Sequence, residues 1–351
     1  MINDIKIGKH VIGSNHPVFI IAEAGVNHNG DIDLAKELIN EAKNAGADCI
    51  KFQTFKAERV VLDNAPKAEY QKITTNPSES QLKMLEKLEL SEKAHKELFD
   101  YCQKKGIMFL STPYNKKDVD LLDQLGVQGY KLASLHIIEP AFIEYVTEKG
   151  KPILMSTGMA TLTEVDEAVR TIRSIRKDDQ FVLLQCTTNY PSLPEHANIK
   201  AMNTMEKAFN LHVGYSDHTQ SFTACIVAVA LGAKVIEKHF TLDKNLDGPD
   251  HSSSETPESL KQLVKIIREA EKTLGNAQKE PVDIEIQNAK GMRRSIVAVK
   301  DLCKGDTITK ECVEFKRPAN GISPRLINKI IGRKLRKNIE KNMPLDWGYL
   351  L

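Results

Sequence analysis

Residues 211–243, LHVGYSDHTQSFTACIVAVALGAKVIEKHFTLD, decide the fold. An apolar run at 213–215 stops at a polar turn containing His218, a helical segment follows at 222–231, and a second strand at 234–236 stops before His239. In a parallel α/β fold the carboxyl ends of successive strands share one rim, where active sites collect. The pattern therefore predicts that His218 and His239 lie side by side at that rim.

The two histidines point to a metal site, because neutral imidazoles are the commonest ligands of transition metals. A nearby carboxylate (Glu23, Glu237 or Asp250) and open water positions would complete a site for a divalent ion. The other interpretation is that both histidines are ordinary polar residues of the rim. Their matching places on adjacent strands favour the metal.

The strand, turn and helix pattern repeats along most of the chain. Eight β–α units in about 260 residues match a (β/α)8 barrel in number and length, with a doubly wound open sheet as the alternative. The predicted strands are 18–22, 49–52, 108–110, 129–132, 153–155, 181–184, 212–215 and 234–236. The predicted helices include 33–45, 91–105, 116–125, 140–149, 162–175 and 257–274.

The chain of 351 residues is long enough for one large and one small domain. Near the start, alternation predicts a small hairpin with Ile5, Ile7 and Val11 on one face. The polar segment 56–90 is longer than a barrel connection needs, and it predicts a lid or side excursion. We expect the barrel over 1–275, a polar linker over 276–290, and a small loop-rich module over 291–351.

Bulk properties exclude several classes of protein. The net charge of +2, from 49 basic and 47 acidic residues, gives no indication of binding to nucleic acid or membrane. The N-terminus does not resemble a signal peptide, and the apolar run 224–233 is too short to span a bilayer. The six cysteines form no C-x-x-C pair, which is typical of reduced thiols in a cytoplasmic protein.

Two lysines inside predicted strands indicate an anion site. Lys51 and Lys131 stand in apolar runs near the rim, and a buried ammonium is costly unless it meets an anion. Hydroxyls with lysines supply the several donors that a phosphate needs. Any single hydroxyl could merely end a strand, but two internal lysines need an explanation. The hydroxyls concerned are those of Ser134, Ser156, Thr188 and Ser216.

A metal beside an anion site suggests chemistry in which the ion polarises a carbonyl or aldehyde and the lysines hold a phosphorylated partner. A rival enzyme is a Schiff-base aldolase with Lys131 or Lys51 as nucleophile, which would make no use of the histidine pair. A non-catalytic sugar-binding barrel or scaffold is a third interpretation, and the internal lysines argue against it.

Several motifs, in order along the chain, carry a family resemblance. They are IIAEAGVNHNGD (20–31), KFQTF (51–55), STP (111–113), STGM (156–159), GYSDHT (214–219) and EKHFTLD (237–243). Together they resemble the sialic acid synthase family, and KRPANGIS (316–323) is similar to its C-terminal antifreeze-like (SAF) domain. Two more stretches, APKAEYQK (65–72) and GPDHSSS (248–254), are more similar to the microbial sialic and legionaminic acid synthases than to the pseudaminic branch.

The resemblance implies an enzyme that condenses phosphoenolpyruvate with an N-acylated mannose-type sugar, giving a nine-carbon 2-keto acid and phosphate. The sugar would be N-acetylmannosamine or a 2,4-diacetamido-2,4,6-trideoxy relative. The enol carbon would attack the metal-polarised aldehyde, water would add at C2, and phosphate would leave by C–O cleavage.

The resemblance also implies roles for individual residues. His218 and His239 would hold the metal, most often Mn²⁺, with Mg²⁺ or Co²⁺ possible. Arg317 would reach into the barrel of a second subunit and bind the N-acyl group, which implies a domain-swapped homodimer. Phosphoenolpyruvate would be held by Lys51, Thr112, Lys131, Ser134, Ser156 and Ser216, with Thr188 where some members place a phosphate-binding asparagine. The sugar side would be lined by Glu23, Gln53, Asn76, Tyr190, Glu237 and Asp250.

One loop departs from the family pattern. Many members have Ser-Gly-Glu after the fourth strand, with the glutamate near the reacting carbons, whereas this chain has Ser134-Leu135-His136. The pKa range of imidazole would let His136 take over acid–base catalysis. Otherwise another group such as Glu237, with Glu23 nearby, does so and His136 is a plain loop residue.

Overall fold

The apolar runs of the sequence form one curled parallel sheet. The computed structural model describes residues 2–76 and 78–351. Its strands are β1 (Ile5–Ile7), β2 (His10–Ile12), β3 (Phe19–Gly25), β4 (Cys49–Thr54), β5 (Met108–Pro113), β6 (Tyr130–Leu132), β7 (Ile153–Ser156), β8 (Phe181–Cys186), β9 (Val213–Asp217), β10 (Val235–His239), β11 (Ser295–Ala298) and β12 (Val313–Lys316).

The strand order establishes a barrel. Strands β3 to β10 pair in parallel in the order β5-β4-β3-β10-β9-β8-β7-β6. The last strand therefore returns to the first, and only the seam between β5 and β6 interrupts a ring in chain order. This is the order of a nearly closed (β/α)8 barrel, which confirms the predicted fold and excludes the doubly wound sheet.

Helices follow the strands along the chain, and those that alternate with the barrel strands pack against the outside of the barrel. The first begins where the Asp31 side chain accepts hydrogen bonds from two backbone amides, and it ends at Gly46 in the left-handed conformation. The helices are α1 (Ile32–Ala45), α2 (Ala57–Val60), α3 (Glu69–Thr74), α4 (Gln81–Glu86), α5 (Glu92–Lys105), α6 (Lys116–Leu125), α7 (Pro140–Thr147), α8 (Leu162–Ile175), α9 (Lys200–Phe209), α10 (Thr223–Ala230), α11 (Pro257–Leu274), α12 (Asp283–Met292) and α13 (Ile327–Ile330). Within the described residues, none of these helices has both the length and the apolar character needed to cross a membrane.

Most barrel strands continue further than the apolar runs predict. Strand β3 reaches Gly25 and includes Glu23, β9 includes Ser216 and Asp217, and β10 extends to His239. These polar residues remain in extended backbone because their neighbours in the ladder are also extended. An apolar pattern cannot detect strand residues whose side chains face a polar cavity.

An apolar hairpin closes the amino-terminal end of the barrel. Strands β1 and β2 pair antiparallel, and Ile5, Ile7 and Ile12 pack among the inward-facing apolar residues of the barrel strands. The prediction that Val11 shares one face with Ile5 and Ile7 was wrong, because the turn at Gly8 pairs Ile12 with Ile5 and Val11 with Lys6. Ile12 is therefore on the buried face, and Val11 is half-buried.

The chain divides into two compact units, one ending at Gly275 and the other spanning Asn276–Leu351. The second unit has its own apolar core, which includes Ile296, Leu335 and Ile339, and an antiparallel pair, β11 and β12. The stretch predicted as a linker contains helix α12, none of whose residues is fully buried. The sequence there lacks an apolar stripe, so helix periodicity gave no signal.

Candidate active site

A cavity of about 410 Å³ opens at the carboxyl ends of the barrel strands. Because side chains alternate along a strand, every second residue at these ends points into the barrel. The structure brings together fourteen of the predicted site residues along this cavity. They are Glu23, Lys51, Gln53, Thr112, Lys131, Ser134, Ser156, Thr188, Tyr190, Ser216, His218, Glu237, His239 and Asp250.

The two strand lysines converge on one carboxylate. Lys51 Nζ lies 3.9 Å from Glu237 Oε2, and Lys131 Nζ lies 3.6 Å from Glu237 Oε1. Lys51 also contacts Glu23 Oε2 at 2.8 Å, while Lys131 donates a hydrogen bond of 2.6 Å to Ser156 Oγ. All four charged residues of this cluster are at least 95 % buried, so the charges interact with little screening by water.

The two carboxylates respond differently to this environment. Burial raises the pKa of Glu23 to about 7, although Lys51 opposes the rise. Burial would also raise the pKa of Glu237, but the two lysines and the Ser216 hydroxyl outweigh it and hold the pKa below its ordinary value. Glu237 therefore stays ionised, and Glu23 can gain or lose a proton near neutral pH.

Hydroxyl groups line the same cavity as the two lysines. Thr112 accepts a hydrogen bond from Lys51 Nζ at 3.1 Å, and Ser134 Oγ accepts one from the Gly158 amide at 3.0 Å. A Cβ atom on Gly158 would lie 2.7 Å from Ser134 Oγ and would also clash with Thr188 Oγ1. The glycine therefore leaves room for two hydroxyls that face the cavity.

The predicted histidine pair is side by side. The ring centroids of His218 and His239 are 5.3 Å apart, and the Tyr190 ring lies against both, at 4.0 and 5.3 Å. His218 donates from Nδ1 to the Thr187 carbonyl at 2.6 Å, which leaves Nε2 as the ligand atom. Although burial opposes the shift, Cys186 raises the pKa of His218, so an ion at Nε2 would displace a proton. Burial, with His218 as the next cause, lowers the pKa of His239 well below its ordinary value, which keeps that ring neutral.

An unpaired ring nitrogen in the histidine pair fits the presence of a metal ion. His239 Nδ1 is buried without a hydrogen-bond partner among the described residues, and Asp250 Oδ2 lies 3.8 Å away. A buried unpaired nitrogen is costly, and an ion would satisfy it. Within the part of the chain that the structure describes, no three His, Cys, Asp or Glu side chains converge as a complete ligand set. Substrate and water would have to supply the remaining ligands.

The segment 56–90 forms the outer wall of the cavity. Residues from its short helices and loops line the entrance, together with Phe55 and Tyr114 from the barrel rim. Tyr114 donates a hydrogen bond of 3.1 Å to Gln53 Oε1. The wall is mostly apolar, with two amide side chains, and consists of Val60, Val61, Gln71, Gln81, Met84 and Leu85.

The structure does not bring two predicted residues of the barrel unit, Asn76 and His136, to this cavity. Asn76 lines a separate cavity of about 590 Å³ formed with residues of the 247–249 loop. His136 is fully buried beneath the rim, 4.6 Å from the Phe142 ring and 5.7 Å from the Tyr114 ring. Its Nδ1 accepts a hydrogen bond from the Ala133 amide, which fits a structural residue better than an acid–base catalyst. Arg317 belongs to the second unit and is exposed.

Sequence reasoning missed two kinds of residue around the site. The apolar wall was missed because no periodic pattern fixes the position of a loop segment. A buried lysine, Lys238, was not predicted, although its neighbours Glu237 and His239 were. The signal that could have identified it was a third lysine inside a strand, after Lys51 and Lys131.

Fold and site together define a (β/α)8-barrel enzyme with an anion-binding lysine pair beside two imidazoles. Residues 38–279 match the family model described as the NeuB family, and residues 293–351 match the SAF domain. The chain therefore belongs to the NeuB family.

Relatives with assigned names agree with this family. The chain is 45% identical to the N,N'-diacetyllegionaminic acid synthase of Legionella pneumophila, covering 96% of both chains. It is 46% identical to the enzyme of the same name from Campylobacter jejuni, covering 92% of this chain and 97% of the relative. The structure of N-acetylneuraminic acid (sialic acid) synthetase from Leptospira borgpetersenii matches with a TM-score of 0.72 at 34% identity, covering 82% of this chain and 95% of the other.

Proposed function

We propose that the chain condenses phosphoenolpyruvate with an N-acylated mannose-type sugar and water, yielding a nine-carbon 2-keto acid and inorganic phosphate. The observation that carries the proposal is the convergence of two buried lysines on Glu237, with hydroxyls beside them and two histidines across the cavity. In this arrangement the lysines and hydroxyls can bind an anion, and the histidine pair can hold an ion that binds a carbonyl oxygen.

The residues divide the chemistry between them. Lys51, Lys131 and the surrounding hydroxyls bind the phosphate and carboxylate of phosphoenolpyruvate and stabilise the charge that develops in the transition state. The enol carbon forms a bond to the aldehyde carbon of the sugar, water adds at C2, and phosphate leaves as the C–O bond breaks. With a pKa of about 7, Glu23 can take up or supply a proton in this sequence.

We also propose a divalent ion at His218 and His239. A bound ion supplies polarisation of the aldehyde oxygen. Because only two imidazoles are fixed and oxygen donors must complete the set, Mn²⁺ is the ion we propose, with Mg²⁺ and Co²⁺ as alternatives.

The sugar we propose is the 2,4-diacetamido-2,4,6-trideoxymannose. Compared with N-acetylmannosamine it carries a methyl group at C6 and an added acetamido group at C4. An outer wall with Val60, Val61 and Leu85 suits methyl groups, and the side-chain amides of Gln71 and Gln81 suit acetamido groups. The two relatives named as diacetyllegionaminic acid synthases support the same choice.

Phosphate release tests both parts of the proposal. Three reactions contain Mn²⁺ and phosphoenolpyruvate with the diacetamido sugar, with N-acetylmannosamine, or with no sugar. We expect release that depends on the diacetamido sugar, with at least tenfold lower kcat/KM for N-acetylmannosamine, equivalent to roughly 1.4 kcal/mol or more. Release only with N-acetylmannosamine would refute the choice of sugar, and no release with either would refute the reaction.

The lowered pKa of Lys131 favours the alternative function, a Schiff-base aldolase. Burial lowers the pKa of Lys131, with Glu237 opposing the shift, and a lysine nucleophile needs a lowered pKa. Treatment with borohydride and substrate separates the two readings. A covalent adduct on Lys131 would support the aldolase, and an unmodified lysine in an active enzyme would support the condensation.

We further propose a cytoplasmic homodimer in which Arg317 serves the partner's cavity. Arg317 is exposed and makes no ion pair with the other described residues, so its guanidinium is available to a ligand. The test mixes two inactive variants, His239→Ala and Arg317→Ala, under conditions that exchange subunits. Random pairing should restore about a quarter of the wild-type sites, because half of the dimers then contain one intact site. No restored activity would contradict the arrangement.

A further inference from the structure

A buried ion cluster lies directly behind the histidine pair, on the helix side of the sheet. Lys238 Nζ donates a hydrogen bond of 2.6 Å to Asp217 Oδ2 and lies 3.7 Å from Glu255 Oε1. It also donates to the Thr219 carbonyl. The side chains of Lys238 and Asp217 are both fully buried, and that of Glu255 is nearly so.

Strand alternation links this cluster to the cavity. In β9, Asp217 stands between Ser216 and His218, and in β10, Lys238 stands between Glu237 and His239. Lys238 and Asp217 are also direct partners in the parallel ladder, as are Glu237 and Ser216. The ion pair on one face of the sheet therefore sets the spacing of four cavity residues on the other face.

The third member of the cluster holds the chain beyond β10. The Glu255 amide donates to the His239 carbonyl at 2.8 Å, and the Thr241 amide donates to the Glu255 carbonyl at 2.9 Å. Asp217 in turn accepts hydrogen bonds from the amide and hydroxyl of Thr219. Lys238 thus connects the turn after β9, the end of β10 and the returning segment at 255.

The composition of the cluster argues for a positioning role. A buried ion pair is often no more stabilising than well-packed apolar residues of similar size, because desolvation offsets the attraction between the charges. A charged pair does, however, fix distance and direction, since its hydrogen bonds are short and directional. Here the ion pair fixes β9 with the turn after it and β10, which carry His218 and His239.

We propose that Lys238 is a positioning residue that aligns His218 and His239 through its bonds to Asp217 and Glu255. This inference rests on the proposed function, because it assumes that the histidine pair binds a metal ion. Residues that hold metal ligands in place change metal affinity or activity by roughly 10- to 100-fold when they are replaced.

The experiment compares three full-length variants with the parent protein. Lys238→Met removes the ammonium and keeps most of the side-chain length. Asp217→Asn/Lys238→Met removes both charges of the 2.6 Å ion pair, so Glu255 is the one carboxylate of the cluster that it leaves. The control is Arg268→Met, since Arg268 donates to Asp48 and Glu271 at 3.0 Å and to the Val18 carbonyl at 2.7 Å, all at the opposite end of the barrel.

The readouts separate alignment from general stability. They are the thermal midpoint, the Kd for Mn²⁺ alone by calorimetry, and kcat and KM for phosphoenolpyruvate. We expect all three variants to melt earlier than the parent. Only the two Lys238 variants should bind Mn²⁺ about 10- to 100-fold more weakly and lose kcat by a similar factor, with less than about threefold change in the KM for phosphoenolpyruvate.

The outcomes distinguish this inference from the proposed function. A parent protein that releases phosphate and binds Mn²⁺, together with a Lys238→Met variant that does both equally well, overturns the positioning role alone. Equal loss of Mn²⁺ affinity in Arg268→Met also overturns it, because the effect would then be general. A parent that does not bind Mn²⁺ overturns the metal site and the inference with it. If Lys238→Met does not fold, the double variant decides.

Discussion

At the scale of single residues, Glu237 is the centre of the site. It is the one carboxylate that both lysines approach and that the Ser216 hydroxyl bonds, at 2.8 Å. An incoming phosphate must compete with Glu237 for the same donors. When phosphate binds, the lysines therefore exchange the Glu237 carboxylate for the phosphate as their partner. No additional pair of buried charges has to form.

Replacing His239 by alanine should abolish turnover through loss of the metal. Of the two rings of the pair, His239 is the one with a buried nitrogen that has no hydrogen-bond partner among the described residues, so under the proposal that nitrogen is a ligand of the ion. We expect the Mn²⁺ affinity, measured by calorimetry, to fall by at least about 100-fold. His16→Ala, at a half-buried histidine near the hairpin that pairs with Asp4, is the control and should bind as the parent does. Full activity of His239→Ala in metal-free buffer would contradict the role.

Replacing His136 by asparagine should flatten the acid side of the stability curve. Burial and then Lys131 lower the pKa of His136 to about 4, whereas an unfolded histidine titrates near 6.5. Unfolding therefore takes up a proton below about pH 6.5, and stability falls as the pH drops from there to about 4, by about 1.4 kcal/mol per pH unit. In denaturant titrations at pH 7 and pH 5, the free energy of unfolding of the variant should therefore differ less between the two pH values than that of the parent.

The control for that measurement is Phe142→Leu, which removes the ring packed on His136 and leaves the imidazole in place. It should lower the free energy of unfolding at both pH values by a similar amount. A His136→Asn slope equal to that of the parent would show that the imidazole does not titrate as described.

Residue positions were predictable from the sequence where a strand fixes them. Lys51, Lys131, His218 and His239 lie in or next to apolar runs, so alternation and the shared rim placed them correctly along the cavity. Asn76 and His136 lie in connections, where no period determines the direction of a side chain. The resemblance implied a role for Asn76 and left His136 at a departure from the family pattern, but the local packing decides what each side chain faces.

At the scale of elements, the loop after β7 shapes the anion site. The absence of a side chain at Gly158 leaves space for the hydroxyls of Ser134 and Thr188. Gly158→Ala should displace both and raise the KM for phosphoenolpyruvate by roughly 10-fold or more, because hydrogen bonds to a charged group contribute about 1.5–3 kcal/mol each. Steady-state kinetics with varied phosphoenolpyruvate provide the measurement.

The control is Gly291→Ala in helix α12, where an added Cβ meets no atom within 4 Å. It should leave the KM unchanged and stabilise the helix by about 0.5–1 kcal/mol. An unaltered KM in Gly158→Ala would show that the two hydroxyls do not bind the substrate.

At the scale of the whole molecule, two separate cores predict two separable units. The residues at 276–288 are exposed, so a protease should reach them while both cores stay folded. Brief proteolysis should give two fragments with a boundary in this stretch, detected by mass spectrometry, and the barrel fragment should keep its far-ultraviolet circular dichroism. Cleavage scattered through the barrel would contradict two independent cores.

The apolar hairpin has a kinetic consequence for the complete enzyme. Since Ile5, Ile7 and Ile12 fill the amino-terminal end of the barrel, we expect substrates to enter at the carboxyl ends of the strands, beside the segment 56–90. Lys51 and Lys131 are nearly fully buried there, so under the proposed function we expect phosphoenolpyruvate to bind before the sugar. A large excess of sugar would then occupy the cavity before phosphoenolpyruvate binds. The initial rate would decline as more sugar is added, which is substrate inhibition.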